Sequence, residues 1–230
     1  MISHKFKCVF VHIRKNAGLS IGAMFRQIDP DFGFNTVLND GVLDSDWENL
    51  REKYAGYFKF AVARNPWDRC ISSWRYLRST KGRSLRDVLA HLPQENLLDN
   101  IRDPAISRDA KRAYLQHYAL EVLYGRRFYK RGHEYRHITR PQSALLVGPS
   151  GKIEVDHVVY FEALEAGLRE VFQTIGAPFP QMRRNNATER DRNYRTYFDP
   201  ETTEMAARAF AEDIAFWGYD FETGLPAALR

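Results

Sequence analysis

A chain of 230 residues with 44% hydrophobic and 13% aromatic content is long enough to bury its own core and too apolar for intrinsic disorder. Its two cysteines, Cys8 and Cys70, exclude a disulfide framework and offer no zinc-ligand spacing. A formal charge of +5 favours anionic partners such as nucleotides, acidic glycans, nucleic acid or membrane surfaces, without choosing among them.

The first residues, "MISHKFKCVFVHIRKN", hold an apolar run too short for a signal-peptide core, and no stretch approaches the length of a membrane span. The expected setting is a reducing cytoplasm. "KFKCVFVHI" predicts a buried strand, and "RKNAG" a turn after it. Ile21, Met24, Phe25 and Ile28 then recur at helical spacing. The Asp-, Asn- and Gly-rich stretch from Asp29 to Asp46 reads as loop, and Trp47, Leu50 and Tyr54 as a short helix. "YFKFAVA" predicts a second buried strand that runs into "RNPWDR". There Asn65 suits an N-cap, Pro66 the first helical position and Asp68 the positive helix end, so a helix is expected from Pro66 to about Leu77.

Residues 84–124 read as helical pieces broken near Pro93 and Pro104. A basic tract follows, "GRRFYKRGHEYRHITRPQ". "SALLV" and "DHVVYF" read as strands with "GPSGK" turning between them, and Leu164, Leu168, Val171, Phe172 and Ile175 as a helix. After a polar loop, "MRRNNATERDRNYRTYF", Asp199 is expected to cap a last helix opened by Pro200, with Ala206, Ala209, Phe210, Ile214 and Trp217 on its buried face. Strands alternating with helices predict one α/β domain over residues 1–230, with a mainly parallel sheet covered on both faces.

Two strand-to-helix turns carry the chemistry. Parallel sheets bind ligands beyond the carboxyl ends of their strands, where a helix start offers N–H groups and a positive dipole end. The first turn adds Arg14 and Lys15; the second adds Arg64 and Arg69. Two such sites in one sheet predict a ligand with two separated anionic groups.

"FVHIRKNAGLSIGAMF" resembles the 5′-phosphosulfate loop of sulfotransferases that use 3′-phosphoadenosine 5′-phosphosulfate (PAPS), where the usual form is close to HIPKTAGTS. "FKFAVARNPWDRCISSWRYL" resembles their 3′-phosphate motif, with Arg64 and Ser72 at its arginine and serine. "RPQSALLVGPSGKIEVDHVVYFEALEAGLREVF" and "YRTYFDPETTEMAARAFAEDIAFWGYDF" resemble the later half of the carbohydrate sulfotransferase group, which includes heparan and chondroitin enzymes and soluble bacterial members. The resemblance implies a P-loop-like three-layer sandwich with helices on both faces of a mainly parallel sheet. It implies PAPS as donor, 3′-phosphoadenosine 5′-phosphate (PAP) as product, no metal, and a carbohydrate or glycoconjugate hydroxyl as acceptor. Lys15 would face the bridging oxygen between phosphate and sulfate. Backbone N–H groups of Asn16, Ala17, Gly18, Leu19 and Ser20 would cradle the 5′-phosphate, helped by the Ser20 hydroxyl. Arg64 and Ser72 would hold the 3′-phosphate. Arg14 replaces the family's proline and Leu19 a common threonine, adding one charge and removing one hydroxyl.

Sulfuryl transfer also needs a base to take the acceptor's proton. Relatives place a histidine or glutamate between the two motifs, but this chain has no histidine between Asp29 and Tyr57. The candidates are His12 at the strand end, His137 before "RPQ", and Asp40, with Asp44, Asp46 and Glu48 nearby. Asp40 in "NDG" is equally good turn chemistry, and a lone strand histidine equally a structural group. The tract holding His133, His137 and six further cations reads either as an acceptor channel or as a solvated basic loop. Arg190 and Arg192 are candidates to close over the nucleotide. A small-molecule kinase would share the strand-loop-helix logic, yet GxxxxGK[ST] is absent. A nucleic-acid binder lacks a familiar module, and a PAP-binding protein without catalysis keeps every cofactor feature.

Overall fold

The computed structural model describes residues 1–33, 52–77, 80–92, 107, 136–148, 151–182 and 191–230. Asp40, Arg190, the Trp47–Leu50 part of the expected short helix, and the basic tract from 126 to 135 lie outside them.

β1 (Ile2–Ser3), β2 (Cys8–Val11), β3 (Phe58–Ala63) and β4 (His157–Tyr160) form one mixed α/β sheet in the order β1-β2-β3-β4. β1 runs antiparallel to β2, while β2, β3 and β4 are parallel, with Val11 opposite Ala61 and Ala63 opposite Tyr160. The expected first strand is therefore shortened to Cys8–Val11, and an unexpected edge strand precedes it. Lys7, at φ 46°, turns the chain back, so that Ile2–Ser3 pairs as an edge of its own.

The chain divides into two compact units. The first comprises Met1–Asn65, Pro141–Ala187 and Phe216–Arg230. Its core lies on one face of the sheet, where Phe10, Phe60, Val62 and Val159 meet Ile21, Met24 and Phe25 of α1 (Gly18–Phe25) and Leu168, Val171 and Phe172 of α5 (Leu164–Thr174). Phe25 is its centre, with ring centroids 4.2 Å from Phe32, 4.7 Å from Phe172 and 6.1 Å from Phe60. Helix α5 comes close to β4 because residue 167 is glycine: a Cβ there would stand 2.7 Å from Val159 Cγ1. Val9, Val11, Ala61 and Ala63 on the other face are also fully buried. Cys8 and Cys70 are free thiols, both pushed up to about 12, by burial first in each case.

"SALLV" is not a strand. Ser143–Leu145 is a short 3-10 helix, with Ser143 C=O accepting from Leu146 and Val147, so that Leu145 and Leu146 are both buried as neighbours. Consecutive burial suits a tight helical turn; a half-buried strand would alternate. Only Val147 makes a bridge, to Ile153.

The second unit comprises Pro66–Arg140 and Thr188–Ala215. It holds α2 (Pro66–Tyr76), α3 (Leu85–Ala90), α4 (Arg136–Thr139) and α6 (Pro200–Ala209). α2 starts and stops where proline and sequence pattern predict. Asp199 and Thr202 form a reciprocal capping box on α6, and Arg86 of α3 pairs with Asp199 at 3.1 Å and with Glu201. The expected last helix is two: α6 ends at Ala209, and α7 (Ala211–Trp217) follows Phe210. The break turns Ala209 to solvent while Phe210 and Trp217 stay buried.

Truncating Phe25 to Ala removes the ring on which three others pack and should cost about 3–5 kcal/mol, the range for buried Phe→Ala changes. Urea denaturation of the variant measures it; a loss under about 1 kcal/mol would mean that the core collapses into the space.

Candidate active site

The site grows out of the carboxyl end of β3. Even-numbered residues of this strand turn their backbone groups toward β2 and odd-numbered ones toward β4, as the bonds Phe58 N–H to Lys7 C=O and Asp156 N–H to Lys59 C=O show. β2 ends opposite Ala61, while β4 ends level with β3, opposite Ala63, so Val62 lacks a β2 partner and Arg64 and Asn65 run on past the whole ladder. Side chains replace the missing strands. The Asn16 amide donates to Val62 C=O at 2.6 Å. The Gln142 amide pairs with the Arg64 backbone in both directions, accepting from its N–H at 2.9 Å and donating to its C=O at 2.8 Å. Asn16 also donates to Gln142 Oε1 at 2.6 Å. On the β4 side, Asn65 N–H donates to Glu162 Oε1 at 2.7 Å, and Tyr219 O–H to Glu162 Oε2 at 3.0 Å. Gln142 and Asn16 are wholly buried.

Between β2 and α1 the loop is strained. Lys15 (φ 69°) and Ala17 (φ 61°) are left-handed without being glycine, while Asn16 between them is not. Such alternation gathers successive N–H groups into an anion-binding concavity. The Asn16 N–H turns inward to Ile13 C=O at 3.3 Å. Ala17 caps α1 with no side-chain bond, and the first intrahelical bond is Ile21 N–H to Ala17 C=O at 3.0 Å. The N–H groups of Gly18, Leu19 and Ser20 precede it and, as the first turn of α1, have no intrahelical acceptor. The absence of a side chain at Gly18 makes room for His12: a Cβ there would lie 2.0 Å from His12 Nε2. His12 is thus wedged beneath the start of α1, with its ring also 5.8 Å from that of Phe10.

Arg64 ties the two turns directly. Its guanidinium donates to Lys15 C=O at 2.6 Å and lies 4.0 Å over the Phe161 ring. The residue is 5% exposed, which sets it apart from a surface ion-pairing arginine. Burial raises the Glu162 carboxyl above its usual value near 4.5, opposed by the N–H groups of Asn65 and Glu162, the Tyr219 hydroxyl and the Arg64 charge.

The other expected residues are placed as follows. Arg14, Lys15 and Ser20 are half-buried and Leu19 is exposed. Ser72 lies on α2, in the second unit, and is buried. Arg69, on the same helix, is held by Asp213 at 4.0 Å and by Arg140 C=O at 2.9 Å, a structural use of a cation the sequence offers as a ligand. His137 falls on α4. Sequence reasoning missed Gln142, Glu162, Phe161 and Tyr219. Their partners lie 78, 97, 97 and 57 residues away in bonds or contacts with no local periodicity. Among the described residues, no group of three or more His, Cys, Asp or Glu is placed to hold a metal ion.

The family model described as "Sulfotransferase family" matches residues 1–220. The chain belongs to the sulfotransferase family. Neither the curated proteins nor the solved structures gave a significant match. Membership supports sulfuryl transfer as the protein's chemistry.

Two predictions follow from these contacts. Gly18→Ala must displace His12 or the helix start and should destabilise by about 1–3 kcal/mol, the usual cost of overpacking. In a His12→Ala background the same change should be nearly neutral, and a double-mutant cycle by thermal unfolding checks it; additive losses would refute the wedge. Glu162 is raised in the fold, so its contribution to stability is full below about pH 4.5 and is lost as pH rises through its folded value. Relative to Glu162→Gln, which stays neutral, the wild type should be favoured most at pH 4 and progressively less toward pH 8. A gap that widened with pH in urea titrations would mean that attraction to Arg64 outweighs burial.

Proposed function

We propose that the protein moves a sulfuryl group from PAPS to a hydroxyl of a carbohydrate or glycoconjugate, in a cytoplasmic setting that suits its two buried thiols. The observation that carries this reading is the loop from Lys15 to Ser20. A strained, alternating backbone opens directly into an uncapped helix start, with Arg64 held against Lys15 C=O. The resemblance of this loop and of "RNPWDR" to the two phosphate motifs of PAPS enzymes supports the donor. The family match covers both units, which supports reading residues 1–230 as one sulfotransferase domain with the P-loop-like three-layer architecture.

The residues present fit the group. Gly18, Leu19 and Ser20 N–H groups would receive the 5′-phosphate at the positive end of α1. Arg64 would receive the 3′-phosphate, with Ser72 as the motif's serine, and Arg14, a cation where the family has proline, would add to the field at the loop. The buried Asn16 Oδ1 has no hydrogen-bond donor among the described residues. Bound PAPS supplies an activated sulfuryl group on an anhydride oxygen. Lys15 would neutralise charge growing on that oxygen, the electrostatic role that often supplies the largest catalytic term. The acceptor oxygen would bond to sulfur as the sulfur–bridging oxygen bond breaks, with the hydroxyl proton passing to a base sought among His12, Asp40 and His137. His12, wedged under the loop, is the one whose packing the structure describes.

Thermal unfolding with PAP in EDTA, against AMP, ATP and ATP-Mg²⁺, tests the donor. A ligand at a hundred times its Kd adds about 2.7 kcal/mol, a shift of roughly 5–10 °C for a chain of this size. The expected result is a PAP-selective, metal-independent shift that Arg64→Ala abolishes. A shift with ATP-Mg²⁺ and none with PAP would overturn the donor assignment in favour of phosphoryl transfer.

A further inference from the structure

One buried amide joins the two turns, through the Arg64 backbone and the Asn16 side chain. Gln142 Oε1 accepts from both Arg64 N–H (2.9 Å) and the Asn16 side chain (2.6 Å), and Gln142 Nε2 donates to Arg64 C=O (2.8 Å). Asn16 carries the tie onward to Val62 C=O. The direct bridge from Arg64 to Lys15 C=O uses the guanidinium, the group a phosphate would also engage. The bridge through Gln142 uses the Arg64 main chain, so it persists however the guanidinium turns toward a ligand.

We propose that Gln142 is a positioning residue that fixes the spacing between the Lys15–Ser20 loop and Arg64, so that a nucleotide carrying both a 5′- and a 3′-phosphate is gripped at two points at once. The proposal rests on the reading of these turns as the nucleotide site. Two-point binding gains over one-point binding only when the second point stands where the tethered group arrives; slack between anchors lowers the effective concentration of the second contact. Gln142 makes no charge contribution of its own. Its effect must therefore appear in the ratio of affinities for adenosine 3′,5′-bisphosphate and adenosine 5′-phosphate, which share the 5′ anchor and differ by the second.

Calorimetric titration of both nucleotides into wild type, Gln142→Met and Asn16→Thr measures that ratio. Met keeps the shape of Gln142 and loses its hydrogen bonds; Thr offers one donor where Asn16 uses two. The expected result is a ratio lowered by on the order of tenfold in Gln142→Met, and lowered in the same direction in Asn16→Thr. A purely structural role would lower the melting temperature and weaken both nucleotides in proportion, and an unchanged ratio overturns the proposal. If Gln142→Met does not fold, Asn16→Thr decides by the same ratio. A wild type that shows no preference for the bisphosphate would overturn the nucleotide reading itself, and this inference with it; a clear wild-type preference retained in both variants would overturn this inference alone.

Discussion

Everything at this site depends on how β3 ends. A strand that outruns its neighbour, and the chain that continues past its end, leave main-chain donors and acceptors with no ladder, and each buried one left unmatched costs about 1–3 kcal/mol. Here Val62, Arg64 and Asn65 carry those groups, and Asn16, Gln142 and Glu162 match them from segments 46, 78 and 97 residues away. The gap between strand ends is what makes room for a ligand at the carboxyl edge of a parallel sheet. Here side chains from distant segments satisfy the backbone across it. The same bonds bring the Lys15 loop and Arg64 within one hydrogen bond of each other.

That arrangement also explains why the loop tolerates strain. Left-handed non-glycine residues cost roughly 1–2 kcal/mol each, and Lys15 and Ala17 are both left-handed. The strain is held from two sides. Below, α1 anchors the loop through Ile21, Met24 and Phe25, all fully buried. Alongside, the Asn16 amide is pinned between Val62 and Gln142. His12 fills the space that the missing Gly18 Cβ leaves. A loop so constrained presents its N–H groups in one fixed arrangement, which suits an electrostatic site better than a mobile one.

Much of this was legible in the chain, for reasons that differ by residue. The strand "YFKFAVA" and the helix opened by Pro66 carry strong local signals and form where those signals place them. Lys15, Gly18 and Arg64 were legible as members of two turns. Gln142 and Glu162 were not, because their meaning lies in which distant backbone groups they meet, and no periodicity encodes that. "SALLV" misled because a short apolar run satisfies strand and tight-turn patterns equally. The β1 edge was invisible since only Lys7, turning the chain at positive φ, makes it. The last helix breaks at Phe210, where no proline or glycine announces it.

The two arginines of "RNPWDR" show why a charge count could not locate the site. Both are buried, and both come from one six-residue motif. Arg69 is matched to Asp213 by a charge of opposite sign and to a carbonyl, a closed account within its own unit. Arg64 is placed against a carbonyl, the face of Phe161 and the field of Glu162, a carboxyl that burial pushes toward its neutral form. A carboxyl whose burial works against its charge opposes less of the Arg64 charge than a solvated carboxylate in the same place would. The charge balance around Arg64 is therefore set by burial at Glu162 as well as by the arginine itself.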